Sequence, residues 1–371
     1  MKNVSPAKRT GGAPPVFVIA QVLKLRRLLH QIADAIVPPA APLIDRFMGA
    51  ATTSLLATAA RLRIADHLED GGPMTAEQLA ERTGVRADLL ERSLKALVAS
   101  GVFRRDGDGR FANNGVSRGL RTGAPGNMRG FAEFFGNHDL VRTWLAHEQI
   151  LKDGGSAFER VHGRSFWEWM GANEDVRSAF VEGMSSTTEE LAPAIASLCP
   201  FDQVERLCDV GGGVGIVLGA ALARHDHLSG MLFDDQAMLA DAPQYLKGWG
   251  VDGRVDLVHG DFMQEVPRGA DAYMLKMVLH NWDDERASLI LRNCRAAMER
   301  GHLLLVVDFV DAPDTLTSLV PYMDMVGMMM CGGGMERSEE AMERLFTQAG
   351  FAYRRLIPLP ASQGIFVGVA S

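Results

Sequence analysis

Apolar positions along the chain change period twice. From Val16 to Val37 they recur at helical spacing, at Val22, Leu23, Leu29, Ile32 and Ile36, until Pro38-Pro39 stops the run. That helix has one apolar face, suited first to packing against the protein or a second subunit and less to a membrane surface. Between 42 and 120 the helical period continues and then gives way to a short hairpin. Thr75 and Gln78 form a T-x-x-Q capping box opening Ala76–Thr83, and Gly84 ends that helix. Arg86–Ser100 follows with Leu89, Leu90, Leu94, Leu97 and Val98 assigned to one face, and Val102 to Phe111 read as a hairpin around a Gly-rich turn. Two helices and a hairpin in that order are a winged-helix pattern. From Arg206 onward, compact apolar runs at Leu207–Val210, Met231–Phe233, Val255–Val258, Ala272–Leu275 and Leu303–Val307 alternate with helical segments, which predicts βαβ units and a mostly parallel sheet. The expected organisation is a disordered tail over 1–15, a helical winged-helix-like domain over 16–120, a helical linker and pocket segment over 121–195, and a Rossmann-like α/β domain over 196–371.

Composition narrows the function classes. At 371 residues, 47% hydrophobic and 23% charged, the chain has the composition of a folded globular protein of more than one domain. A net charge of −8 repels phosphate backbones, and the second winged-helix helix balances Arg86, Arg92 and Lys95 against Asp88 and Glu91, so nucleic acid is not the expected partner. The four cysteines, Cys199, Cys208, Cys294 and Cys331, are too scattered for a disulfide scaffold, and no apolar run reaches the ~20 residues needed to cross a bilayer. Reduced thiols, a cytoplasmic location and no membrane partner are the expectation.

Parallel sheets place ligands at the carboxyl ends of their strands, so the residues after each apolar run carry the chemistry. The first run ends in Asp209-Val210-Gly211-Gly212-Gly213-Val214-Gly215, whose glycines let backbone approach a ligand closely. The second ends at Asp234, an acceptor for a ribose diol. The third leads to Gly260-Asp261-Phe262, a carboxylate for an adenine amino group beside a ring for its face. Three strand ends thus agree on an adenosine-bearing ligand. The fourth runs through Lys276 and Met277 to His280 and Trp282, and on spacing alone His280 is equally a base or a structural residue. Asp283-Asp284-Glu285 reads as a helix cap with first-turn acids, not a metal site. Bulky side chains at 125–195 include Trp144, with Phe180 and Met184 one helical turn apart. With Met277, Met323, Met325, Met328 and Met329 they offer an adaptable wall for a flat apolar acceptor, against the alternative that each packs the core.

Taken in order, Asp209 to Gly215, Phe233-Asp234, Asp241-Ala242-Pro243, Gly260-Asp261-Phe262, Gly269 to Tyr273, Leu275-Lys276, Leu279-His280-Asn281-Trp282-Asp283-Asp284, Gly333-Gly334-Met335-Glu336-Arg337-Ser338 and Ala349-Gly350-Phe351 resemble the class of O-methyltransferases that includes plant caffeic acid and hydroxyindole enzymes and bacterial polyketide-tailoring enzymes. The resemblance spans about 42 to 370. It implies S-adenosyl-L-methionine as cofactor, with Gly211 and Gly213 beside its methionine part, Asp234 on the ribose, Asp261 and Phe262 on the adenine, Lys276 alongside and Trp282 stacked near the adenine. It implies His280 as general base between two acids, Glu336 and Asp308, the latter where Glu is usual and therefore a methylene short. The N-terminal region resembles the family's dimerisation domain, which implies a homodimer. Asp235-Gln236 stands where the family has Leu-Pro, Asn281 where Asp is common, and the segment from Asp308 to Tyr322 is shortened. Transfer to a phenolic or enolic hydroxyl of an aromatic secondary metabolite is the implied activity. The alternatives are methyl transfer to nitrogen or carbon, a non-methylating step (hydroxylation, decarboxylation or pericyclic) on the same cofactor fold, a DNA-binding sensor of the cofactor, and a cation-dependent methyltransferase.

Overall fold

The computed structural model describes residues 16–313 and 318–371. The tail expected over 1–15 lies outside the described residues, as does 314–317 of the segment expected to be shortened. Contacts group the chain into two units, 28–145 with 168–187, and 16–27 with 146–167 and 188–371. Residues 121–195 therefore do not stand as one segment: 146–167 and 188–195 cluster with the C-terminal unit and 121–145 and 168–187 with the N-terminal one.

The N-terminal unit is built around Leu79, Leu94, Leu97, Phe103 and Phe111, all buried. Both halves of the capping box form, Thr75 N–H donating to Gln78 Oε1 at 2.9 Å and Gln78 N–H to Thr75 Oγ1 at 3.4 Å, so Ala76–Thr83 starts where its orphan amides are satisfied. In Ala87–Ala99, Leu90, Leu94 and Leu97 face inward. Leu89, assigned to the same face, is 47% exposed, because it lies about 100° around the helix from Leu90. Strands β1 (Phe103–Arg105) and β2 (Phe111–Asn113) pair antiparallel, and Phe111 exchanges backbone hydrogen bonds with Met74. This is the expected wing. Two of the three cations of the second helix are paired at the surface, Arg86 with Asp88 at 2.7 Å and Lys95 with Glu91 at 2.8 Å.

In the C-terminal unit five strands run parallel: β3 (Arg206–Val210), β4 (Ser229–Asp234), β5 (Val255–His259), β6 (Ala272–Lys276) and β7 (Leu303–Phe309). Two more, β8 (Phe351–Pro358) and β9 (Gln363–Ala370), complete a seven-stranded sheet in the order β5-β4-β3-β6-β7-β9-β8. The last two are antiparallel and were not legible in the apolar pattern, because Arg354, Arg355 and Pro358 break the alternation of β8. The centre of the sheet is apolar on both faces, with Cys208, Val210, Tyr273, Leu275, Leu304 and Val306 in one cluster. Between β3 and β6 the strand order reverses direction. The crevice outside the carboxyl ends at that reversal is where an open α/β sheet receives a ligand.

Among the described residues no helix is long and apolar enough to cross a membrane. The helix Val16–Ala35, its successor Ala40–Phe47 and the connection between them leave Leu29, Ile32, Ile36, Leu43, Ile44 and Phe47 each at least half exposed.

Candidate active site

Three strand tips of the C-terminal unit bring buried acids to one edge of the sheet. Asp209 near the end of β3 and Asp308 near the end of β7 are each 1% exposed, and Asp234 closes β4 at 8%. Burial pushes Asp209 and Asp308 up to about 7 and Asp234 up to about 6. Asp234 also feels opposing help, since Gly213 N–H donates to its Oδ2 and Asp235 N–H to its Oδ1, both at 2.7 Å. The Asp235 carboxylate is exposed and accepts from Ala237 N–H, capping its own turn.

The glycine loop follows β3. Gly213 has φ +59°, and a Cβ there would meet nothing within 4 Å, so the loop's outer side is open for a ligand to lie on. Gly211 sits below it, where a Cβ would strike Val278 at 2.8 Å. Asp209 Oδ1 has no hydrogen-bond partner. An open glycine cradle above an unsatisfied buried carboxylate fits a cationic nucleoside, and the residues expected to hold S-adenosylmethionine are compatible with it.

At the tip of β6, Lys276 Nζ donates to Thr188 Oγ1 at 2.7 Å, and burial draws the ammonium down to about 8 against the pull of Asp209 and Asp308. Met277 adopts φ +58°, a left-handed conformation costly for a side chain of this kind, and Asn281 Nδ2 donates to its carbonyl at 3.1 Å. An aspartate at 281 has no N–H for that bond, which gives the Asn a physical role. The turn delivers His280, whose Nδ1 is 2.9 Å from Glu336 Oε1 with the side chains 12% and 1% exposed. Because a carboxylate only accepts, Nδ1 carries the proton and Nε2 presents a lone pair. Burial opposes the charged imidazole, but the hydrogen bond and charge of Glu336, with Asp308 behind it, raise His280 above its ordinary value.

Glu336-Arg337 holds this turn from two sides. Glu336 N–H donates to Asp324 Oδ1 at 2.8 Å, fixing the residue that orients the imidazole. Arg337, 3% exposed, donates to Leu279 O at 3.0 Å, Trp282 O at 2.7 Å and Asp284 Oδ1 at 2.9 Å. The preceding glycines permit the approach: a Cβ on Gly334 would stand 2.8 Å from His280 O. Asp308 was expected to brace His280 beside Glu336, yet neither of its oxygens has a hydrogen-bond partner. Its shorter side chain contributes charge to the imidazole and no bond.

On the other side of the crevice, Trp282 stacks with Trp167 at 6.2 Å between centroids, meets Phe262 edge-on at 6.3 Å and carries the Arg286 guanidinium 5.8 Å from its ring. Asp261 is exposed and accepts from Met263 N–H. Of the two roles open to Met329, acceptor wall or core, the structure shows the second: it is fully buried against Ile150 and Ala157, with Met325 half-buried beside the same cluster. In the N-terminal unit, Phe180 packs against Phe134 at 5.2 Å, Met184 is half-buried and Trp144 is 36% exposed. Residues that the sequence reading missed are Thr188, Arg337, Asp209 and Trp167. Arg337 and Asp209 stand inside motifs already singled out and Trp167 among the bulky side chains of 125–195, whereas Thr188 gives no local signal. Among the described residues no group of three His, Cys, Asp or Glu is arranged to hold a metal ion.

Comparison with known proteins places the chain among characterised ones. The model of the O-methyltransferase domain matches residues 144–352, and that of the O-methyltransferase dimerisation domain matches 44–123. The phenazine O-methyltransferase PhzM of Lysobacter antibioticus is 33% identical over 329 residues, covering 89% of this chain and 96% of its own. The 2,7-dihydroxy-5-methyl-1-naphthoate 7-O-methyltransferase of Streptomyces carzinostaticus is 35% identical, covering 83% and 92%. Among solved structures, the O-methyltransferase NcsB1 of neocarzinostatin biosynthesis, in complex with S-adenosylmethionine and 2-hydroxy-5-methyl naphthoic acid, aligns with TM-score 0.74 at 33% identity over 86% of this chain and 96% of that one.

Proposed function

The chain belongs to the S-adenosylmethionine-dependent O-methyltransferase family, and we propose that it methylates a phenolic or enolic hydroxyl of an apolar aromatic small molecule, with His280 as general base. The relatives named for phenazine and naphthoate substrates favour a fused-ring acceptor of secondary metabolism. The carrying observation is the buried His280–Glu336 pair at 2.9 Å, which leaves Nε2 free at the strand edge that ends the cofactor cradle.

Bound S-adenosylmethionine supplies an electrophilic methyl group on a sulfonium. On this reading Gly211 and Gly213 border its methionine part, Asp234 accepts from the ribose, and Asp261, Phe262 and Trp282 surround the adenine. Lys276 keeps the tip of β6 in place through Thr188. A phenol with a pKa near ~10 is almost wholly protonated at neutral pH, so a base that takes its proton during attack supplies roughly 10²–10⁴-fold. Nε2 receives that proton, and Glu336 stabilises the imidazolium through Nδ1. A pocket that held the acceptor oxygen beside the bound donor would add a further acceleration through positioning. Pairing of two copies through the dimerisation region is the proposed assembly, consistent with the apolar surface left by Leu29 to Phe47.

Purified protein incubated with isotopically labelled S-adenosylmethionine and a panel of hydroxylated naphthoates, phenazines and polyketide aromatics tests this directly. The expected products are a methyl ether and S-adenosylhomocysteine in equal amounts. Label on nitrogen or carbon, or a modified acceptor without S-adenosylhomocysteine, overturns the assignment.

A further inference from the structure

The turn that delivers His280 is fastened at both ends by the side chain that follows it. Asn281 Nδ2 donates to Met277 O at 3.1 Å, and Asn281 Oδ1 accepts from the Cys331 thiol at 3.7 Å. Burial pushes that thiol up to about 12, so it keeps its proton and remains a donor. Met277 is where the chain leaves β6, with φ +58°, a conformation that persists only where the surroundings hold it. Cys331 caps the helix Val320–Met330, and the glycines 332–334 run from it toward Glu336. One amide therefore ties the exit of the strand that carries the base to the start of the loop that carries its carboxylate.

Two further contacts lie on the same side of Val320–Met330. Asp324 Oδ1 accepts from Glu336 N–H at 2.8 Å, and a Cβ on Gly327 would stand 2.9 Å from the Gly334 carbonyl. Asp324, Gly327 and Cys331 follow one another at i, i+3 and i+7, so one helix face meets both the loop of Glu336 and the turn of His280. Of these contacts, only the one through Asn281 reaches a residue adjoining the base. We propose that Asn281 is a positioning residue that sets the separation of His280 and Glu336, and so keeps the Nδ1 proton of the imidazole on the carboxylate. The inference rests on the reading above that His280 is the general base, and it acts through the turn, without contact between Asn281 and the acceptor. An aspartate here would keep an acceptor for the thiol and lose the donor for Met277 O.

In the ligand-free full-length protein, nitrogen NMR of labelled histidine, assigned by difference against His280→Ala, reports both the Nδ1 proton of His280 and the titration of its ring. Glu336 and Asp308 face that ring and favour its charged form, while Lys276 opposes it. Asn281→Leu leaves these three groups in place and removes the tie. Its Nδ1 proton resonance is expected to broaden or vanish, and the inflection of His280 to move to lower pH by at least ~0.5 pH unit, the direction expected when Glu336 is weakened. The kcat is expected to fall ~10-fold, with the dissociation constant of S-adenosylhomocysteine changed less than about 3-fold. Added to Glu336→Gln, Asn281→Leu is expected to lower kcat by less than about 2-fold more, because both substitutions act through one carboxylate. Asn281→Asp, of the same size, replaces the leucine variant should that one not fold. Its added charge would itself raise His280, so there the Nδ1 resonance alone is read, and its loss is expected. An unchanged Nδ1 resonance overturns the inference. So does full multiplication of the two losses in kcat, which marks Asn281 as a contact of the acceptor. Methyl transfer itself fails on a different readout, the absence of S-adenosylhomocysteine with every acceptor.

Discussion

At the scale of single residues, the reaction depends on one proton at His280. Glu336 raises the imidazole above its ordinary 6.5 despite burial, and the catalytically useful form is the neutral one. Turnover is therefore expected to rise with pH through an inflection above 6.5. Glu336→Gln removes the charge that favours the imidazolium, so the inflection is expected to move to lower pH while kcat falls roughly 10–100-fold, as the tautomer is less firmly held. His280→Ala is expected to lower kcat by ~10²–10⁴-fold with the donor's dissociation constant changed less than about 3-fold. Single-turnover rates and calorimetry separate the two quantities. An unchanged kcat for His280→Ala would remove it as base.

At the scale of elements, the ends of the parallel strands carry buried acids whose charged form is disfavoured in the ligand-free protein. Asp209 and Asp308 are raised from 3.8 to about 7 and Asp234 to about 6 by burial. An acid whose folded pKa lies above its unfolded one binds more protons folded than unfolded, so each contributes a destabilisation that is absent below about pH 4, grows as pH rises, and is complete above about pH 7 (about 6 for Asp234). The ligand-free protein is expected to lose thermal stability between pH 4 and 7, as scanning calorimetry would record. Asp209→Asn is expected to flatten that slope, raise Tm at pH 8 and weaken S-adenosylmethionine binding by at least ~10-fold. A Tm at pH 8 that falls instead would mean Asp209 is stabilising as it stands. The turn between β6 and the helix Asp284–Ala297 has a different support. Arg337→Met would leave Leu279 O and Trp282 O unpaired and is expected to cost about 2–4 kcal/mol in urea unfolding, with Arg337→Lys intermediate.

At the scale of the whole molecule, the unsatisfied surface lies in the N-terminal helices. Ile32, Ile36, Ile44 and Phe47 are 50%, 79%, 55% and 69% exposed, more apolar surface in one stretch than a monomer ordinarily leaves bare. Sedimentation at micromolar concentration is expected to find a dimer. Ile36→Asp combined with Phe47→Asp is expected to weaken association by at least ~100-fold, about 2.7 kcal/mol. A wild-type monomer at tens of micromolar would contradict the assembly.

Local rules wrote the elements into the sequence. The Thr75–Gln78 box, the apolar runs of β3 to β7, the Gly211–Gly215 turn and the Asp283 cap each follow from forces acting over a few residues, and they can be read without knowing the fold. The cradle and the base were legible for the same reason, since the switch from strand to glycine turn, or from strand to His280, marks a carboxyl end. What neighbours across the sheet do is not local. The motif resemblance already set Glu336, 56 positions away, beside His280, but only the tertiary structure decided that Asp308 makes no hydrogen bond to the imidazole, that Thr188 on a distant helix takes Lys276, and that Met329 is core. It also added β8 and β9, whose charged and proline-interrupted pattern is stabilised by pairing rather than by its own period. Hydrogen bonds and burial between residues far apart in sequence have no period to read, so which side chain finds a partner is settled only once the chain has closed around it.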